Sequence, residues 1–600
     1  MNSKNSQTWL SLRNIAVPVL LVVIALVLIP DSSVGFELPK LFCAAVCAAL
    51  LGAGSLREPV TGIRFPGRTW LFLFAASLIL AIATSIAPLM SVTGAPPRFL
   101  GFIAWVVFLQ IFFGALALSR TAHGVRILLR GCIGAFAVVT LYGLVQYAGL
   151  DPFAEVFDSA MFLGRIFSTT GHPNTLAQFL VLLLPLTCVA VNSRAPRTAF
   201  FLGACGLVVL MATGSRSGMV ALGVMIVCTV PLMIRSLRLF IDPRRIIALV
   251  ACVAVVGFSV SVGNSVLRER FSRGMEAGRS VGARSIIWPA AVSMIIARPM
   301  GYGPETMALV SPQVLPREIF AHESLVSTVD RAHNIILDLL IAFGPLGFLG
   351  FLGFCISLLF AGYKHRTDDP LIPAASLGLI GFFVTSLFGF PTALTWVFFF
   401  VVAGILAGTL TVQPQLPGSA LDRAFNGVLL LMTMAQIMLC GLGISARLML
   451  SGGQMLEASI RAPFDREVLT QAAETHLRLA SLLQEPDRQQ AVATADALIA
   501  RLMRLTAGHD GIAYGLQAWS AGLKGDRIRL DASLEEARRL LPWSVIERRV
   551  AAEALRSIGD FAAAAQREQS VRDILPPEFF REGSALRRIF LKENPWLMQI

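Results

Sequence analysis

Arginine and histidine are the residues that promise chemistry in a chain otherwise rich in hydrocarbon. They gather between two apolar segments. Residues 264–334 carry Arg268, Arg270, Arg273, Arg279, Arg284, Arg298, His322, Arg331 and His333. A guanidinium grips an anion through forked N–H donors, and phosphates fit that fork best. An imidazole that is neutral near pH 7 takes a proton from a hydroxyl. Together they point to an anionic substrate handled at a bilayer surface.

Four short motifs hold the candidates. The turn T-G-S-R-S-G, Thr213 to Gly218, joins two apolar segments. Ser217 is expected to cap the helix that follows, and a helix start beside Arg216 is a good anion site. An arginine reaching out to lipid headgroups is the alternative. Arg284, in G-A-R-S-I-I-W, opens an amphipathic segment expected to lie on the membrane, with Trp288 and Tyr302 as interface anchors. It offers a second fork to a phosphate; headgroup binding is again the alternative. Arg298-Pro299 ends that segment before a G-Y-G-P turn. His333-Asn334 stands where the long loop re-enters an apolar segment, with Asp330 or Asp338 available to orient the imidazole. Asn334 fits a helix cap best. His322 is a weaker histidine candidate. The stretch G-R-I-F-S-T-T-G-H-P-N-T-L-A, Gly164 to Ala177, adds Arg165 and Asn174. Asn174 and Gln178, one turn apart, suit a sugar or a neighbouring helix equally well.

These residues need a scaffold, and the composition says which kind. Apolar residues make up 55% and charged residues 14%, against roughly 25% charged in soluble domains. The acidic residues divide unevenly, with 17 in residues 1–446 and 20 in 447–600. A membrane part, 1–446, is therefore expected before a soluble part, 447–600. Apolar windows near 20 residues predict thirteen spans. They fall at about 13–30, 38–55, 69–87, 99–118, 131–149, 173–191, 198–213, 217–234, 246–263, 335–361, 371–388, 393–411 and 424–446. No small-residue cleavage site follows the first, so it reads as retained. Gly344, Gly347 and Gly350 read as small-residue helix packing.

Every second short loop is basic, beginning with Lys4 and Arg13. The others are Arg57 to Arg68, Arg120 to Arg130, Arg194 with Arg197, Arg235 to Arg245, and Lys364 to Arg366. These loops are expected in the cytoplasm. The N-terminus is then inside, and loop 264–334 and the C-terminal part are outside, in a periplasm if the cell is Gram-negative. The net charge of +13 suits anionic headgroups or phosphates, and the membrane context argues against nucleic acid. All nine cysteines lie in apolar segments without metal or redox spacing. No metal cluster is evident. In the tail, Gly525-Asp526 recurs as Gly559-Asp560 and Leu541-Pro542 as Leu575-Pro576, both 34 residues apart. That period predicts a tetratricopeptide-like helical array, usually a docking surface.

In pattern and order, four stretches resemble the O-antigen ligase, O-antigen polymerase and protein O-oligosaccharyltransferase superfamily. They are S-T-T-G-H-P-N-T-L-A, T-G-S-R-S-G, R-S-I-I-W-P-A-A-V-S-M-I-I-A-R-P-M-G-Y-G and A-H-N-I-I-L-D-L-L-I-A-F-G-P-L-G. The resemblance spans roughly residues 160–410. It implies an all-α polytopic bundle of the C-type glycosyltransferase fold, metal-independent and without a cofactor. The implied donor is an undecaprenyl-diphosphate-linked glycan. Arg216 and Arg284 match arginines that hold the donor diphosphate in such enzymes. His333 matches the histidine that takes the proton of the acceptor hydroxyl or positions it. A single displacement would invert the anomeric centre. Lipid A–core is the first-choice acceptor, with a glycan repeat or a protein hydroxyl as alternatives. The tail departs from a plain ligase and is a candidate partner surface.

Two other classes compete. A transporter of a lipid-linked anionic glycan should place ionisable groups near the membrane midplane, whereas these spans look nearly charge-free. A scaffold with a membrane anchor has no need of so many spans.

Overall fold

The computed structural model describes residues 3–31, 34–55, 63–156, 164–240, 275–325, 328–411 and 420–580, with 587, 590 and 591. The expected span at 246–263 lies outside the described residues, as do Arg57, Arg244, Arg245, Arg268, Arg270 and Arg273. All regular structure among the described residues is helical. The first part holds α1 (Ser3–Leu26), α2 (Glu37–Ser55), α3 (Arg68–Ala83), α4 (Pro88–Thr93), α5 (Phe102–Ser119), α6 (Ala122–Tyr147), α7 (Pro173–Asn192), α8 (Pro196–Ala212) and α9 (Arg216–Phe240). After the undescribed stretch come α10 (Met275–Ala297), α11 (Met307–Val314), α12 (Ile335–Lys364), α13 (Leu371–Ser386), α14 (Ala393–Thr409) and α15 (Ala420–Ser451).

Helices α5, α6, α7, α12 and most of α15 are long and apolar enough to cross a membrane. Helices α3, α8, α13 and α14 are apolar but only 16–17 residues long. The chain is an all-helical membrane protein. Its centre is α5 against α14, both apolar on every side, as befits helices with no water-facing stripe. Trp105 and Trp396 meet there at 4.9 Å. Between spans lipid offers no hydrophobic drive, so this interlocking of rings is the main source of adhesion.

Three expectations need correction. Helix α6 starts at Ala122, well before the expected 131, because Thr121 caps it by accepting from the Gly124 N–H at 3.0 Å. Arg126 and Arg130 then sit on its exposed side. Gly344 is no ordinary packing glycine: it breaks α12 with φ 66° and ψ −173°, ahead of Pro345. A side chain there would strike the Pro299 carbonyl at 2.8 Å, so the break admits the G-Y-G-P turn. Gly347 and Gly350 do pack closely, against Ser77 and Phe74 of α3. Finally, α2 is not charge-free. Buried Lys40 donates to the carbonyl of Val27 at 2.7 Å, beyond the end of α1, and Glu37 accepts from the Ala393 N–H at 2.8 Å, at the start of α14. Both charges serve helix ends.

The segment from residue 275 to the start of α12 and the tail fold together. Helix α10 runs 23 residues and buries Ala283, Ile287, Ala291 and Met294 against Tyr302, Met307, Ile319 and Ala332. That spacing of three and four is one helical face, turned to protein. The tail is α16 (Met455–Arg461), α17 (Arg466–Leu482), α18 (Asp487–Leu505), α19 (Gly511–Leu523), α20 (Arg527–Leu540), α21 (Val545–Arg556) and α22 (Phe561–Gln569). The recurring Gly-Asp pairs occupy equivalent turns: Gly525 and Gly559 have φ of 74° and 81°, and Asp526 and Asp560 cap α20 and α22. One side of the tail rests on the loop. Leu325 shares a core with Val545, Val571 and Ile574, and Arg317 donates to the Asp573 carbonyl at 3.0 Å. Helix α15 passes the expected boundary at 446, and Arg447 at its end pairs with buried Asp465 at 2.9 Å.

Candidate functional site

A cavity of about 100 Å³ lies among the starts of α7 and α9, helix α10, the corner before α12 and the end of α13. His172, Asn174, Thr175, Gln178, Ser217, Arg284, His333, Thr385, Gly389 and Phe390 form its wall. Of the residues singled out in the sequence, it gathers Arg284, His333, Asn174, Gln178 and Ser217. Arg216, the first residue of α9, is exposed, and its neighbour Ser217 faces the cavity instead. The cap of α9 is also shifted by two. Ser215 Oγ accepts from the Gly218 N–H at 3.4 Å, and Ser217 Oγ lies 3.1 Å from Ser215 Oγ.

The corner that carries His333 is fixed from both sides. The Ala332 carbonyl accepts from Trp288 Nε1–H at 3.0 Å, and the Ala332 N–H donates to Asp338 Oδ1 at 2.7 Å. His333 then takes the left-handed φ of 55°, uncommon for a residue with a side chain. Asn334 caps α12 by accepting from Ile336 N–H at 2.9 Å and Leu337 N–H. The corner thus turns the imidazole into the cavity, against the Phe390 ring at 5.0 Å. Neither aspartate takes the expected part. Asp338 holds the backbone, and Asp330 pairs with Arg98 at 2.6 Å. Arg98 also lies 4.0 Å over the Phe390 ring. Burial first, then the positive charges of Arg284 and Arg98, hold His333 down at about 4, with Asp330 opposing them. The ring is therefore neutral at pH 7.

Arg284 reaches the cavity from α10. Its Nη2 donates to the Phe388 carbonyl at 2.6 Å, while its buried Nε has no partner. One arm of the guanidinium is anchored and another donor is unmet, beside the start of α9, whose first N–H groups also favour an anion; at the start of α7 Pro173 has no N–H and the Asn174 N–H is taken by His172. Arg165 braces those starts: Nε donates to the Thr213 carbonyl at 2.7 Å and Nη2 to Asn174 Oδ1 at 2.8 Å. Arg298 does not line the cavity. It binds the Gly301 carbonyl at 3.0 Å and the Thr84 carbonyl, fixing the G-Y-G-P turn. Arg331 is paired with Glu305. His322 packs its ring against Gly282 and does not line the cavity.

The sequence reading missed His172, Thr385 and Phe390, and it missed Arg98. His172 had a signal: it fills the position before Pro173 at a helix start. Its Nδ1 accepts from the Asn174 N–H at 3.0 Å, so the neutral ring keeps its proton on Nε2. Burial, then Arg165, His333 and Arg98, push it down to about 3. His172 is thus a donor, and His333 is the imidazole suited to receive a proton.

Fold and cavity together define a polytopic helical membrane protein with an arginine and two imidazoles lining a cavity among its helix ends. Residues 198–352 match the family model described as O-Antigen ligase. That segment includes Arg216, Arg284 and His333, and the match supports a glycosyltransferase of the ligase and polymerase type. A search of curated proteins finds no match to the chain.

Proposed function

We propose that this protein transfers a glycan from an undecaprenyl-diphosphate carrier to an acceptor hydroxyl at the periplasmic face of the inner membrane. Lipid A–core is the first-choice acceptor, ahead of a growing glycan or a protein. One observation carries the reading: Arg284, with an unmet N–H donor, and a neutral His333 share one cavity.

In this reaction the acceptor oxygen attacks the anomeric carbon, and its proton goes to a His333 ring nitrogen. The bond from the anomeric carbon to the diphosphate oxygen breaks, and its electron pair leaves with the carrier. Arg284 stabilises the negative charge that the leaving diphosphate gains, helped by the first N–H groups of α9. Arg216, exposed beside the cavity-lining Ser217, is the second arginine we assign to the diphosphate. Attack from the opposite side inverts the anomeric configuration. The two groups are coupled. A diphosphate on Arg284 cancels a charge that depresses His333, so donor binding makes the imidazole a better base. We read residues 447–600 as a docking domain that presents the acceptor or a protein partner.

The test is transfer by purified protein in nanodiscs from a carrier-linked glycan pool to lipid A–core, free repeat unit and protein acceptors. Transfer that needs His333 and Arg284 supports the reading and selects the acceptor. Tight donor binding with no transfer to any acceptor would move it to transport.

A further inference from the structure

We infer that Gln178 reads the transferred sugar, its Oε1 accepting a hydrogen bond from a ring hydroxyl or amide N–H of the donor glycan. This rests on the glycan-transfer reading. Gln178 lies in the second turn of α7 and lines the cavity, and only 3% of its surface is exposed.

The orientation of its amide follows from its neighbours. Ser386 Oγ–H donates to the Phe382 carbonyl at 2.6 Å. With its one proton committed, that hydroxyl can only accept from Gln178. The group 2.7 Å from Ser386 Oγ must therefore be the Gln178 NH2, which leaves Oε1 as the free end. Oε1 has no partner. A buried amide oxygen without a donor is costly, more so in a membrane span.

The other polar groups of the wall are largely engaged. Asn174 Oδ1 takes Arg165, Ser217 Oγ pairs with Ser215, and the Thr385 hydroxyl donates to the Gly381 and Phe382 carbonyls. Among the fully buried side-chain atoms of the wall, two groups of opposite kind are unmet: the Arg284 Nε–H donor and the Gln178 oxygen acceptor. They sort the substrate. A diphosphate oxygen can satisfy the first and never the second. Gln178 calls for a group that brings a proton, and the reacting acceptor hydroxyl already gives its proton to His333. A substituent on the sugar is what remains.

The test compares a native polyprenyl-diphosphate sugar with analogues lacking one hydroxyl or acetamido group each, in wild type, Gln178→Leu and Ser386→Ala. Wild type should lose about tenfold to a hundredfold in kcat/KM with one analogue, the range of a hydrogen bond left unmade in a buried site. Gln178→Leu should lose a similar factor on the native donor and no longer distinguish that analogue. Ser386→Ala, which frees the amide to turn, should keep part of the preference. Melting curves confirm that the variants fold. A Gln178→Leu penalty equal for every donor, or no penalty, would overturn the assignment. So would a penalty that tracks only deoxygenated acceptors. Binding of the same donors is measured separately. Discrimination in binding without any transfer would overturn the transfer reading and leave the Gln178 contact standing.

Discussion

The charge of Arg284 should be legible in the titration of His333. Arg284→Gln removes one positive charge beside the imidazole while keeping an N–H for the Phe388 carbonyl. In the native protein His333 titrates at about 4, against about 6.5 for a free imidazole. That gap amounts to roughly 3 kcal/mol against protonation. At pH 5 roughly one ring in ten then carries a proton, from the same value. Burial is the larger cause and stays in the variant, as does Arg98. The midpoint should therefore rise, yet remain below the ordinary value. The assay is NMR of histidine-labelled protein in nanodiscs, with the seven histidines resolved by difference against His333→Gln. Arg216→Gln is the control: Arg216 is exposed and is not among the charges acting on His333, so it should leave the midpoint in place. A soluble polyprenyl diphosphate should raise the midpoint in wild type and much less in Arg284→Gln. A midpoint in Arg284→Gln at or below the native one would refute the coupling, and a native midpoint near 6.5 would refute the burial of the ring.

Arg284→Lys should weaken donor binding about tenfold to a hundredfold by titration of a labelled carrier lipid, since lysine lacks the planar fork that lets one arm hold the Phe388 carbonyl while another meets a phosphate. His333→Ala should lower kcat about 10²- to 10⁴-fold with donor affinity nearly kept, in the range of a lost general base. Trp288→Phe leaves the buried Ala332 carbonyl without its donor and should cost about 1–3 kcal/mol, seen as a lower melting temperature together with slower transfer. Arg447→Ala strands buried Asp465 and should destabilise by about 3–5 kcal/mol, read as earlier proteolysis near residue 465.

Much of the helical frame could be read from apolar runs bounded by polar turns. Pro173, Ile335, Leu371 and Ala393 begin helices close to where the hydrocarbon begins. The start of α6 was hidden because Arg126 and Arg130 look like loop residues until one sees that they lie on its exposed side. The break at Gly344 was hidden because its cause, the turn after Arg298, is more than forty residues away in the chain. The site divides in the same way. The motif stretches border one cavity, and they could be picked out because turn residues and charges between spans are conspicuous. They did not say which of two neighbours faces inward, as with Arg216 and Ser217. The Arg98–Asp330 pair joins residues 232 apart, and no local pattern encodes it. Ser386, which fixes the Gln178 amide, is likewise supplied by a distant helix.

The Arg165 brace has a kinetic consequence. By joining the Thr213 carbonyl to Asn174, it sets the spacing between two helix starts when the chain folds. The amide donors there need not search for their arrangement when an anion arrives, so little conformational entropy is lost on association. Capture of a diphosphate should then be a single phase whose rate rises linearly with ligand concentration, without the plateau that marks a slow rearrangement. Cutting the brace would convert a rigid receptor into one that must be assembled at each encounter.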